Sequence, residues 1–349
     1  MFWRKKGNYA YTTARVKARK SMLLAKDVYS KMLLMDLPEI SRMLGETVYQ
    51  KEMAELGGRM AGVDLVEHAT YRNMARSFRS ILNMSNGDLH DMIAANLTRW
   101  DFWNLKVILR AKTFGADVET IREDLVPAGK GTEAFWDMLL GLETVEEILA
   151  AFSKEEELEF APEMVEAFKE DGRLTAIEDF LDKTYYQRLL DSIDPSTKPK
   201  RIFKDFIRME IDIINIETIL KLKMEDVPRD EILPFFIEGG LELDRKIAEQ
   251  LAGAESFEAM APFLKRLDFH GDIADVLKDD CGTLRELVAS LEKYKIRKAK
   301  RFSHIHPLSV IPILDYMINK QVEVDNIRII ARGKMSGLDN KTIEELLVI

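Results

Sequence analysis

Apolar residues recur at steps of three and four along most of the chain. Met32, Leu33, Met35 and Leu37 precede Pro38, and Ile40, Met43 and Leu44 continue the pattern beyond it. Met164, Val165 and Phe168, then Leu174, Ile177 and Leu181, repeat it later. That period places apolar side chains on one face of an α-helix. The stretches are rich in Leu, Met, Ala, Glu, Lys and Arg, which form helices readily. Strict alternation is rare, and Glu323-Val324-Asp325 is too short to argue for a strand. Helix ends are predicted at Asn86-Gly87, Gly129-Lys130-Gly131, Asp194-Pro195 with Pro199, Gly239-Gly240 and His306-Pro307. The pattern therefore predicts an all-α fold.

The chain also resembles itself. Segments 101–112, 212–223 and 323–334 align without a gap. Asn104, Asn215 and Asn326 follow one another at a constant interval. Lys112, Lys223 and Lys334 keep that interval, as do the later Ile121, Ile232 and Ile343. Behind each asparagine, apolar residues fall at offsets one, four and five: Leu105, Ile108, Leu109; Ile216, Ile219, Leu220; Ile327, Ile330, Ala331. This is one buried helix face. Asp101, Asp212 and Glu323 are expected near a helix start, where an anion suits the macrodipole. The lysines are expected at the far end as carbonyl caps, and the asparagines as buried amides satisfying backbone groups near the helix start. Gly115 and Gly337, with Asp226 in the equivalent place, read as stop signals. A contact role with a partner is the minor alternative for both residue sets. Stepping back from Ile349 by the same interval gives three helical units: 1–127 with an added N-terminal helix, 128–238 and 239–349. Tandem units meeting head to tail close into a ring if each step turns by about 120°, so a pseudo-threefold object is expected.

Charge adds an asymmetry. The chain has 349 residues and a formal net charge of −9. Residues 143–182 alone carry 14 acids against 3 bases. Two stretches are basic: Arg4, Lys5, Lys6, Arg15, Lys17, Arg19 and Lys20, then Lys293, Lys295, Arg297, Lys298, Lys300 and Arg301. Solvated helix faces explain such runs most simply. Electrostatic orientation between partners is the alternative, and a row of bases also suits phosphates. No apolar run reaches the about 18 residues that cross a bilayer. Met1 to Arg4 lacks a signal-peptide core.

Catalytic patterns are missing. Gly129-Lys130-Gly131-Thr132 resembles a phosphate loop but has Asp124 where glycine is needed and Gly131 where Ser or Thr must follow the lysine. His304 and His306 lack cysteine or helix-spaced carboxylate partners, and a metal is not expected there. Cys281 is the single cysteine, which excludes an internal disulfide framework and fits a reducing, intracellular compartment. Asp279 and Asp280 beside it disfavour a thiolate nucleophile. No catalytic, cofactor or metal residue is assigned, and a binding or mechanical role follows.

The segment Asn8 to Ser21 resembles the start of the C subunit of the archaeal A-type (V/A-type) ATP synthase. So do Met35 to Ile40 and Leu44 to Tyr49. Ile311 to Tyr316 and Val324 to Leu338 carry the strongest likeness, which extends over essentially the whole chain. The family is related to the d-type subunit of the eukaryotic V-ATPase. The resemblance implies a funnel of three helical subdomains around a pseudo-threefold axis, on the cytoplasmic face of the membrane as a peripheral protein. It implies a non-catalytic central-stalk adaptor. Its partners would be the D–F shaft, the proteolipid (c/K) ring and the soluble part of the a/I stator subunit. It would transmit torque between ATP chemistry and H⁺ or Na⁺ translocation, without a cofactor and without nucleic acid. The rival readings are a helical scaffold for other partners and a nucleic-acid binder acting through Lys293 to Arg301.

Overall fold

The computed structural model describes residues 7–273 and 284–348. Arg4, Lys5, Lys6, Asp279, Asp280 and Cys281 lie outside them. The described residues are helical, with no strand among them. In chain order the helices begin with α1 (Tyr9–Lys20), α2 (Lys26–Met32), α3 (Leu37–Leu44), α4 (Gln50–Leu56), α5 (Gly62–Met84), α6 (Gly87–Leu97) and α7 (Arg99–Thr113). They continue with α8 (Val118–Asp124), α9 (Glu133–Leu140), α10 (Val145–Glu156), α11 (Pro162–Asp171), α12 (Thr175–Ser192) and α13 (Lys198–Met224). The last are α14 (Arg229–Ile232), α15 (Arg245–Ala252), α16 (Phe257–Leu264), α17 (Leu284–Ile305), α18 (Ile311–Met335) and α19 (Asn340–Leu346).

Two compact units are formed. One holds Gly7 and residues 37–185; the other holds 8–36 and the described residues from 186 onward. In the first, Phe78, Ile93, Leu105, Ile108 and Leu109 are buried together with an aromatic cluster. Phe102 lies 5.9 Å from Phe152 and 6.0 Å from Tyr185, ring to ring. In the second, Phe203, Phe206, Ile207, Ile216 and Leu220 of α13 are buried, as are Val324, Ile327 and Ile330 of α18. Each such side chain contributes about 1.5–3 kcal/mol on leaving water.

Helix positions recur. The starts of α8, α14 and α19 keep the interval that separates the three asparagines. α13 and α18 run 27 and 25 residues, where the first copy is divided at Thr98 into α6 and α7. The Thr98 hydroxyl donates to Ala94 O at 3.2 Å, a back-bond that bends a helix. The long second and third copies correct an expectation. Asp101 lies in the first turn of its helix, but Asp212 and Glu323 lie far inside α13 and α18. The macrodipole therefore does not explain the two later acids. Upstream residues such as Phe203 and Ile313 continue the buried face, and Pro199 and Pro312 occupy the first turn, where the lost N–H costs nothing.

The three helices end alike. Gly115, Asp226 and Gly337 have φ of 70°, 56° and 69°. In each case the next residue's N–H returns to a carbonyl five residues back: Ala116 to Ala111, Val227 to Leu222 and Leu338 to Gly333. This left-handed closure suits glycine, and Asp226 takes it at a strain cost.

Candidate functional site

α7, α13 and α18 each carry the same three polar positions, and all of these but Lys223 hold another segment in place. The asparagines form a two-bond lock. Asn104 donates from Nδ2 to Val126 O at 3.0 Å and accepts from Val126 N at 2.8 Å. Asn215 and Ile237 exchange the same bonds at 2.8 and 2.8 Å. Asn326 and Val348 do so at 2.9 and 2.9 Å. A side-chain amide has one donor group and one acceptor in the geometry of a peptide edge, so it pairs with a strand-like backbone as another strand would. The locked segment follows α8, α14 or α19, and Ile121, Ile232 and Ile343 of those helices are buried.

The acids hold the loop that comes next. Asp101 accepts from the N–H groups of Lys130 at 2.8 Å and Gly131 at 3.0 Å. Asp212 accepts from Leu241 at 3.1 Å, Glu242 at 2.8 Å and Leu243 at 3.1 Å. Both carboxyls are almost fully buried, and burial raises their pKa to about 6 against the opposing pull of these N–H groups. The loops approach so closely that a Cβ on Gly129 or Gly240 would collide with the Asp101 or Asp212 carboxylate. Gly129 and Gly240 are themselves equivalent positions of the repeat. Their pairing is legible in the sequence, yet each reads at first as a mere helix break.

The third joint is completed by the N-terminal part of the chain. Glu323 accepts from Leu24 N at 2.5 Å and from Lys320 Nζ at 2.8 Å, and both side chains of that ion pair are buried. Leu24 precedes Gly131 by the same distance along the chain as the start of α2 precedes the start of α9. The segment 24–33 thus sits on α18 as the segment 131–140 sits on α7. Lys20 to Asp315, at 2.6 Å, fastens it from the preceding helix. Thr13 Oγ1 donates to Pro307 O at 3.2 Å. Comparison at the repeat interval passes over this segment because it is four positions out of register.

Lys112 and Lys334 act across two of these joints. Lys112 Nζ donates to Leu140 O at 2.8 Å and Leu142 O at 2.9 Å, at the C-terminal end of α9. Lys334 donates to Leu33 O, at the end of α2, and to Asn340 Oδ1 at 2.8 Å. The helix served is a neighbouring one, not the lysine's own. Lys223 is half-buried and makes no side-chain hydrogen bond among the described residues.

The charged runs divide. In the acidic stretch Glu178 binds Arg110 through two bonds of 2.5 and 2.7 Å, and Asp182 meets Lys106 at 2.6 Å. The hydrogen-bonded Glu178 raises the Arg110 pKa. α11 has no buried residue and keeps Glu163, Glu166 and Glu170 at the surface. In the basic stretch Lys295 pairs with Glu292 at 2.7 Å, and Arg297 and Lys298 pair with Asp272 and Asp268. Half of its cations are therefore already matched, which weakens the nucleic-acid reading. Among the described residues no His, Cys, Asp and Glu cluster has metal-binding geometry, and no helix is long and apolar enough to cross a membrane.

A family profile described as the ATP synthase (C/AC39) subunit matches residues 12–346. The chain is similar to proteins named as the C subunit of the A-type ATP synthase. One, from Methanococcoides burtonii, is 40% identical over 98% of this chain and 94% of the relative. One from Methanosarcina mazei is 39% identical over 99% and 95%. One from Archaeoglobus fulgidus is 38% identical over 99% and 98%. With joints spaced through the whole length that the profile covers, the chain belongs to the ATP synthase (C/AC39) subunit family.

Proposed function

We propose that this chain is the non-catalytic central-stalk adaptor of an A-type ATP synthase, joining the D–F shaft to the membrane proteolipid ring. It lies peripherally on the cytoplasmic face and turns with both partners. ATP chemistry and H⁺ or Na⁺ translocation take place in other subunits. The reading includes three modules, 1–127, 128–238 and 239–349, set around a pseudo-threefold axis as a funnel. The soluble part of the a/I stator subunit is a further neighbour.

The observation that carries the reading is the recurrent joint. A torque-bearing collar must not yield where one module meets the next. Each joint here combines a buried helix face with a buried acid on a loop and an amide lock. Close-packed interfaces of this kind do not deform continuously. The N-terminal segment on Glu323 gives the last core helix the cover that the first two receive from later chain.

The test is reconstitution of the complex with and without this chain. ATP hydrolysis by the head is expected to persist without it, while ion pumping driven by that hydrolysis is lost. Coupled pumping in its absence overturns the proposal. Replacing Glu163, Glu166 and Glu170 of α11 with lysine then examines the acidic face: unchanged capture of the D–F shaft removes that face from the shaft socket.

A further inference from the structure

A cavity of about 420 Å³ lies beside the third joint, between α2, α17 and α18. Lys26, Lys293 and Arg297 stand on its rim, and Leu23, Ile296 and Val322 form an apolar wall. The geometry points to a binding site for a phosphate or phosphomonoester dianion with a short apolar attachment.

The balance of charge supports a dianion. Arg297 is paired with Asp272. Glu323, the acid in the lining, is paired with buried Lys320 and accepts the Leu24 N–H. Tyr29 is a neutral phenol there, its pKa raised by burial first and by Glu323 second. Lys26 and Lys293 have no ion pair among the described residues, which leaves two uncompensated positive charges facing one cavity.

The repeat supplies an internal control. At the positions equivalent to Lys26 the chain has Glu133 and Asp244. Where the third copy has Lys293 the others have Asp182 and Tyr71, and where it has Arg297 they have Tyr186 and Ala75. Three cations converge at one joint, while the equivalent positions elsewhere are acidic or uncharged. A shared folding need would place the same charge in all three.

A bound dianion would bridge α2 to α17 and tighten the N-terminal segment on α18. The full chain is titrated calorimetrically with inorganic phosphate against chloride at matched ionic strength. It is also sedimented with phosphatidylcholine vesicles with and without phosphatidic acid. Saturable phosphate binding, weakened about tenfold by each of Lys26→Gln and Lys293→Gln and restored by Lys293→Arg, is expected. Capture by phosphatidic acid vesicles that the double variant loses identifies a lipid phosphate as the source; phosphate binding without such capture identifies a free one. Both lysines are exposed, so the variants should keep the parent melting temperature in chloride. Absence of saturable binding in both assays, or binding that the double variant retains in full, overturns the assignment.

Discussion

Asn215 and Ile237 satisfy each other completely at one edge: amide Nδ2 to carbonyl at 2.8 Å and backbone N–H to Oδ1 at 2.8 Å, both buried. Removing the amide leaves a buried donor and a buried acceptor without partners. Each such orphan costs about 1–3 kcal/mol. Asn215→Ala is therefore expected to lower the stability of its unit by about 2–5 kcal/mol in urea denaturation. Asn326→Ala should cost less, because its bonds to Val348 are only part-buried and water can replace them. Equal losses for the two variants would contradict the lock.

Gly240 is constrained by the carboxylate that its loop approaches. A methyl group there would collide with Asp212 Oδ1; that carboxylate accepts Leu243 N–H on Oδ1 and the N–H groups of Leu241 and Glu242 on Oδ2, and has little room to turn. Overpacking of this kind costs about 1–3 kcal/mol. Gly240→Ala should show that loss, and Gly129→Ala should resemble it, since it meets Asp101 in the same way. Gly58, with open space around its Cβ position, is the control and should change stability by less than about 0.5 kcal/mol as alanine. Melting curves of the three variants decide the point.

Much of this is legible from residue order alone, and the rest is hidden for physical reasons. The buried faces after Asn104, Asn215 and Asn326 can be read because helical periodicity is local. So can the left-handed stops at Gly115, Asp226 and Gly337. The roles of Asp101 and Asp212 cannot, because their partners are backbone N–H groups about thirty residues downstream, and backbone carries no sequence signal. Sequence reasoning places the helix starts of the second and third copies too late, because the upstream buried face continues without an interruption like that at Thr98. The partner of Glu323 escapes it because Leu24 lies near the other end of the chain and outside the register of the repeat. Lys320 looks like a surface lysine in sequence, yet it is buried in the fold and paired there with Glu323.

That ion pair allows a test of how the N-terminal segment is held. Glu323→Gln keeps an oxygen for Leu24 N but removes the buried carboxylate charge paired with Lys320. Breaking one side of a buried pair costs about 3–5 kcal/mol. Adding Lys320→Met should restore most of that loss, since both charges are then gone while the amide oxygen remains. In hydrogen exchange, amides of α2 should lose protection in Glu323→Gln and regain it in the double variant. Unaltered protection of α2 in the single variant would separate the ion pair from the clasp.

The buried acids of the other two joints leave a signature in pH. Free aspartate titrates near about 4, whereas Asp101 and Asp212 are raised to about 6 by burial. Between those values the folded chain keeps protons that the unfolded chain has released. Unfolding therefore releases protons, and the contribution of these groups to stability falls as pH rises through the window. It is fully present below the unfolded value and is lost as pH passes the folded one. Asp268 behaves oppositely: its hydrogen bond from Lys298 lowers its pKa, so its contribution is lost on acidification. Carbon-detected NMR of the carboxyl groups should show Asp101 and Asp212 titrating near 6 while Asp268 remains charged well below that. Midpoints near 4 for the first two would mean that the loop N–H groups fully offset burial, and these carboxyls would then contribute no change in stability between pH 4 and 6.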